Sequence, residues 1–506
     1  LFFVACVFIG ACSDNKDQPI NQPDNLGIPG GGNPSTVAVP GAVIDGPIAG
    51  SPILVSTFFS LSSLGYEQAE FFVSGNANSY TNVNEMNPDG RWLVQANQQA
   101  DYKTRIVVIR PSSDADFSGT VFVEWLNVSA GFDSGPDWGM THTELIRRGH
   151  AWVGVSAQKV GVDALIDGSA AAILPGAVSD GRYDGLIHPG DLFSYDIYSQ
   201  VGQSIRDPQG TAPLGNLTAK YLIAEGESQS ADRMLTYVNA IAPMHALFDG
   251  YFVHSRLSGS APLEGGFLDP ILPTPDTVQV RTDLATPVLM LQTETDLFIL
   301  GSYPSNQDDS DHFRLWEVAG TAHADLYTFI DNRFDIGNNP AIAAIAENAA
   351  PVPGLIECTI AVNAGPQHFV ANAAVNALND WIATGTPPPM AARLDVAGSP
   401  PAFVLDDLGN VTGGIRTPYV DVPIALLSGE GQPQPAFDLD SPDFCFLSGI
   451  TVLFDAATLG SLYADNASYI SAVNSSADDA VDKGFLLAED AELIKTYAAS
   501  SDIFAP

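Results

Sequence analysis

Apolar and polar positions alternate, run together or spiral along this chain, and their spacing predicts its elements. "AEFFVSG" (69–75) and "TRIVVIRP" (104–111) alternate enough to be half-exposed, antiparallel edge strands. The next four are nearly continuous apolar runs, which a parallel sheet buries on both faces: "TVFVEWL" (120–126), "AWVGVSA" (151–157), "KYLIAEG" (220–226) and "GYFVHSR" (250–256). "PVLMLQTE" (287–294) and "FRLWEVAG" (313–320) follow. Helical spacing separates them in "WGMTHTELIRRG", "DLFSYDIYSQVGQSI" and "SADRMLTYVNAI". This alternation predicts an α/β fold with a mostly parallel central sheet flanked by helices. A long amphipathic helix over 368–385 is expected to close the sheet, and two more helices are expected near 465–475 and 486–499. No internal repeat is found.

Composition narrows the picture. With 506 residues and 45% apolar content, the chain suits one large domain with additions, or two domains. Its 20 Lys+Arg against 59 Asp+Glu give a formal charge of −39. Such a surface repels phosphate backbones and anionic membranes, so nucleic acid is excluded as a partner.

The opening "LFFVACVFIGACSDNKD" carries eleven apolar or small residues before Cys12. That run is too short to span a bilayer but fits the core of a signal peptide. No Met and no basic stretch precede it, so the start of the leader is expected to be missing. Ile9, three positions before Cys12, suits a lipobox in which Cys12 is lipidated; an ordinary signal cut elsewhere is the alternative. Residues 13–40 read as a flexible linker, and Gly30–Gly32 there lacks the Lys-Ser/Thr of a phosphate loop. The expected location is outside the cytoplasm, in a bacterial cell envelope or secreted. In an oxidising compartment Cys358 and Cys445 are the remaining pair and are expected to be disulfide-bonded, with two separate buried thiols as the alternative. No spacing argues for a metal site.

The candidate chemistry begins at "YLIAEGESQSADRMLTYVNAI" (221–241), where a buried strand becomes a helix through a short polar knot. A nucleophile elbow needs small residues two before and two after the nucleophile. Gly226-x-Ser228-x-Ser230 meets that need with serine in place of the last glycine; a plain helix N-cap at Ser228 is the competing reading. A serine nucleophile requires a base, and the base a carboxylate, which in α/β-hydrolases follow in the order Ser, acid, His after successive strands. Thr293-Glu294-Thr295-Asp296 follows one later strand and Thr321-Ala322-His323-Ala324-Asp325 the next. Asp296 is preferred as the acid, with Glu294 in reserve, although either carboxylate could instead cap a helix, as could Asp325. His254 sits inside a strand pattern and is expected to be packed. The remaining histidines fall on helices or loops. For the oxyanion, the N–H of Gln229 and one from Asn127 or Val128 are expected; Asn127 could instead bond within its own turn.

"VEWLNVSAG", "AWVGVSAQKVGV", "HPGDLFSYDIYSQ", "EGESQSADRMLTYVNAI", "DGYFVHSR", "LQTETDL", "LWEVAGTAHAD", "GGIRTPYVDVPIA" and "DAELIKTYAASSDI" together resemble a bacterial group of "alpha/beta hydrolase domain" proteins within the α/β-hydrolase superfamily. The resemblance covers nearly everything after residue 60. It implies the α/β-hydrolase fold and a triad carried on Ser228, His323 and Asp296 or Glu294, but leaves the substrate open. The expected organisation is a signal segment over 1–12, a linker over 13–40, and a core over 41–385. The core holds a cap insertion at about 159–219, and a C-terminal extension over 386–506 packs on it. The expected activity is hydrolysis of a small carboxylic ester by a serine esterase without cofactor or metal, touching membrane only through its N-terminal anchor. The alternatives are the same triad acting on an amide, a polyester or a sugar-linked ester, and an anchored binding protein without catalysis.

Overall fold

The apolar runs assemble into one ten-stranded sheet. Its strands are β1 (Val43–Asp45), β2 (Tyr66–Asn82), β3 (Val94–Pro111), β4 (Thr120–Trp125), β5 (Ala151–Val155), β6 (Gln209–Gly210), β7 (Tyr221–Glu227), β8 (Gly250–His254), β9 (Val288–Thr293) and β10 (Phe313–Val318). The spatial order is β10-β9-β8-β7-β4-β5-β3-β2-β1-β6. The computed structural model describes residues 36–504 apart from 55–56, 174–176, 178–179, 267–268, 271–273, 354–355 and 434–443. The expected signal segment, Cys12 and the linker as far as residue 35 lie outside the described residues.

Six neighbouring strands, from β10 to β5, are parallel, and β3, β2 and β1 continue the sheet antiparallel. Every residue of β4, β5, β8, β9 and β10 is buried, which explains why these segments read as unbroken apolar runs rather than alternating ones. One expectation needs correction: neither β2 nor β3 is an edge. β2 lies between β1 and β3, β3 lies between β2 and β5, and Ile106 to Ile109 are wholly buried. The solvent-exposed part is the far half of the β2–β3 hairpin, where Gln95 to Gln99 are all exposed.

Helices cover both faces. α1 (Pro136–Arg147) contributes Trp138 and Leu145 to one core, together with Phe122, Trp152, Leu291 and Trp316 of the strands. The other core receives Tyr195, Tyr198 and Val201 from α2 (Ser194–Arg206) and Met234 from α3 (Gln229–Thr236). α4 (Gln367–Thr384) returns to the first face through Val370, Val375 and Leu378. The segment 159–219 contributes to that other core. Its helix α2 is core, and the Tyr198 hydroxyl donates to the carbonyl of Val123 inside the sheet, 2.5 Å away.

The extension packs on the core beside β10. Ile415 donates its N–H to Glu317 O (2.7 Å) and accepts from Ala319 (3.1 Å), lengthening the sheet by one bridge. Its two long helices, α5 (Asn466–Asp482) and α6 (Ala488–Ser500), form a third apolar cluster, and Asp490 pairs with Arg147 of α1 at 2.8 Å. Cys358 and Cys445 are disulfide-bonded across 87 positions.

Candidate active site

Because β4, β7, β9 and β10 run in one direction, the loops leaving them gather on one rim, where open α/β sheets hold their ligands. Ser228 stands at the end of β7 with φ 57° and ψ −121°, a left-handed conformation that a serine adopts only when its surroundings impose it. Three features impose it. The N–H of Ser228 donates to His254 O at 2.9 Å, and α3 begins at the next residue. Gly226 allows the turn to close, since a Cβ there would lie 2.7 Å from the carbonyl oxygen of Ser230. Ser230 itself is fully buried, and its small side chain fills the place of the missing glycine.

The Ser228 hydroxyl lies 2.9 Å from Nε2 of His323, and Nδ1 of His323 lies 2.7 Å from Oδ1 of Asp296. The other oxygen of Asp296 accepts the N–H of Thr293 at 2.6 Å. Asp296 thus caps the short helix Glu294–Phe298 with one oxygen and orients the imidazole with the other. Glu294 points elsewhere. Its two oxygens accept from the backbone N–H groups of Gly320 (2.6 Å) and Gly429 (2.8 Å), and burial pushes its carboxyl up to about 8. It fastens the extension and the loop before His323 to the core. Asp325 caps the helix Leu326–Phe329 through Thr328 N–H, 2.8 Å away.

The loop after β4 departs from expectation at one residue. Asn127 has already donated its N–H to Ser134 O at 2.9 Å, so it cannot offer it to an oxyanion. Its side-chain amide instead donates to Glu227 O (3.1 Å) and Glu227 Oε2 (3.3 Å). The N–H groups of Val128 and of Gln229, at the start of α3, have no protein acceptor among the described residues.

Glu227 is the residue that the sequence pattern passed over as a variable position. Its Oε1 lies 3.3 Å from Nε2 of His323. Burial pushes the Glu227 carboxyl up to about 7, against the pull of His323. Burial also opposes the imidazolium of His323, yet the carboxylates of Glu227 and Asp296 outweigh it and hold His323 above the ordinary histidine value. His254 is packed as expected: its Nδ1 lies 2.8 Å from Asp137, and burial holds it below the ordinary value. A cavity of about 380 Å³ between Trp92, Met244 and His245 includes none of these groups. Among the described residues, no three His, Cys, Asp or Glu side chains are arranged to hold a metal ion.

A family model described as "Alpha/beta hydrolase domain" matches residues 32–496. No curated protein matches the chain. Among solved structures, one of two fungal esterases from Rhizomucor miehei is 14% identical, with 62% of this chain and 85% of that one covered and a TM-score of 0.28. Acetyl xylan esterase 1 from Thermoanaerobacterium sp. JW/SL YS485 is 10% identical, covering 52% and 79%, with a TM-score of 0.27. A glucuronoyl esterase from Solibacter usitatus is 10% identical, covering 50% and 76%, with a TM-score of 0.25. At these values the structural likenesses carry no argument about substrate.

Proposed function

Since the chain belongs to that alpha/beta hydrolase domain family, we propose that it is a serine hydrolase cleaving small carboxylic esters through an acyl-enzyme. Ser228 Oγ attacks the ester carbonyl carbon while its proton passes to Nε2 of His323. Asp296 keeps the other ring proton on Nδ1 and steadies the imidazolium that forms. The N–H groups of Gln229 and Val128 receive the oxyanion, and the N-terminal end of α3 adds its positive pole. The tetrahedral species collapses as the Nε2 proton moves to the leaving oxygen and the alcohol departs. A water then repeats the sequence in reverse roles, releasing the acid and restoring Ser228.

One observation carries this reading: a strained serine at φ 57° begins a hydrogen-bonded relay of 2.9 Å and 2.7 Å through His323 to a buried carboxylate. A fluorophosphonate probe tests it. The serine oxygen should displace fluoride from phosphorus and leave the protein covalently labelled, and Ser228→Ala should abolish the labelling. Folded wild-type protein that takes up no label would sink the proposal and favour a non-catalytic binding protein. For location, the leader pattern ending at Cys12 and the pairing of Cys358 with Cys445 support export and an N-terminal lipid anchor.

A further inference from the structure

Two buried carboxylates near the sheet's rim serve as struts. Glu124 accepts from the backbone N–H of Asp137 and Trp138 and from the Trp152 indole, at 3.0, 2.9 and 2.8 Å. Glu294 accepts from two glycine N–H groups. Both hold chain to chain. Among the described residues, Glu227 accepts no backbone N–H, and its carboxyl meets only the Asn127 amide and Nε2 of His323, each at 3.3 Å; its side chain keeps 12% of its surface exposed on the rim that carries Ser228.

That arrangement cannot be satisfied in every protonation state. When His323 is neutral with its proton on Nδ1, the Nε2 lone pair accepts from the Ser228 hydroxyl, and the Glu227 oxygen beside it gains nothing. When Nε2 carries a proton, Glu227 faces an N–H donor with a full positive charge behind it. The interaction is therefore stronger in the species that forms during attack than in the resting one, which is the condition for a contribution to rate. We propose that Glu227 is a further catalytic residue, a second carboxylate that stabilises the imidazolium of His323 from the Nε2 side while Asp296 does so from Nδ1. This rests on the serine-hydrolase reading above.

The bookkeeping of the step is unchanged. The Ser228 proton still moves to Nε2 as the Oγ–carbon bond forms, and it still leaves to the departing alcohol oxygen as the carbon–oxygen bond breaks. Glu227 acts in its ionised form and gives or takes no proton in the step. The amide of Asn127, bonded to both the carbonyl and the carboxyl of Glu227, fixes the carboxyl in place.

The charged groups around the pair come from α1, β8 with the loop after it, α3 and the turn after β9. Asp296 faces His323 from the turn after β9, and Asp232 faces it from α3, itself close to Arg233 and Arg256. Asp137 of α1 and His254 of β8 lie on the Glu227 side. Burial works against the His323 imidazolium, but Glu227 and Asp296 hold it above the ordinary histidine value. The base must be neutral to accept a proton, so a carboxylate that raises it moves the acid limb of activity upward in pH.

The experiment compares wild type, Glu227→Gln and Glu227→Asp in two measurements across pH. One is the rate of fluorophosphonate labelling, and the other is kcat/KM on p-nitrophenyl acetate, a neutral ester. In Glu227→Gln the acid limb should fall by roughly one to two pH units, the size of shift that one neighbouring opposite charge produces. The alkaline plateau should drop roughly tenfold, one unit of lost imidazolium stabilisation being a factor of ten. Glu227→Asp should restore part of both. A folded Glu227→Gln with an unmoved acid limb overturns the role of Glu227 while Ser228-dependent labelling leaves the serine reading standing. Absence of labelling in wild type overturns both. Should Glu227→Gln not fold, the ring protons of His323 in wild type decide by NMR. Titration above the ordinary histidine value supports the proposal, and titration at or below it overturns it.

Discussion

Glu294 and Asp296 stand two positions apart on the turn that ends β9, and the turn sends their side chains to different places. Asp296 reaches Nδ1 of His323, while Glu294 reaches the backbone of Gly320 and Gly429. Their variants should therefore fail differently. Asp296→Asn keeps the shape but presents an amide to the imidazole and favours the wrong tautomer, so kcat should fall by about four orders of magnitude with little loss of Tm. Glu294→Gln leaves one glycine N–H without its acceptor, at about 1–3 kcal/mol, and should lower Tm while kcat falls less than tenfold. The reverse pattern would return the acid role to Glu294. The order of residues along the chain brought Ser228, His323 and both carboxylates into view, but could not choose between the carboxylates, because the choice depends on where a glycine 135 positions away comes to lie. It offered Asn127's bonding within its own turn only as an alternative, and gave no hint that Glu227 touches the base.

At the scale of the element, the junction of β7 and α3 depends on tight approach. Gly226→Ala would put a methyl group 2.7 Å from the Ser230 carbonyl. Relief requires the strand end or the helix start to move, so a loss of about 1–3 kcal/mol is expected, together with at least a tenfold fall in kcat as Ser228 leaves its position. Ser230→Ala is the control: its Oγ has no hydrogen-bond partner among the described residues, and stability and activity should change little. Equal damage from both, by thermal melts and turnover, would show that the junction tolerates no change at all and would refute the steric account. The parallel strands were legible because burial on both faces leaves a run of apolar residues that few other environments produce. α2 was harder to place. A helix joined to the core by long irregular segments looks in sequence like part of an insertion, and only the packing of Tyr195, Tyr198 and Val201 against the sheet identifies it as core.

For the molecule as a whole, several buried carboxyls share one direction. Burial pushes Glu294 up to about 8, Glu144, Glu227 and Asp232 to about 7, and Asp325 to about 6. A carboxyl whose value is higher in the folded than in the unfolded chain favours the fold while both are protonated. That advantage is complete below the unfolded value, about 4 to 4.5, and is lost as pH rises through the folded one. The formal charge of −39 adds self-repulsion over the same range. Tm should therefore be higher near pH 5 than near pH 8, and added salt should recover part of the difference at pH 8 by screening. A Tm that rises from pH 5 to pH 8 would mean that ionised, well-paired carboxylates dominate instead.

The two N–H groups on Glu294 are separated by more than a hundred positions, and the loop of His323 is braced in the same way. Ala324 donates to Leu447 O at 3.1 Å, and Leu326 donates to Asn363 O at 2.8 Å. A ribosome making this chain releases Ser228, Asp296 and His323 long before residues 429 and 447. The nascent polypeptide thus holds these side chains without the struts that align them, and the arrangement is completed only after residue 447 has been added.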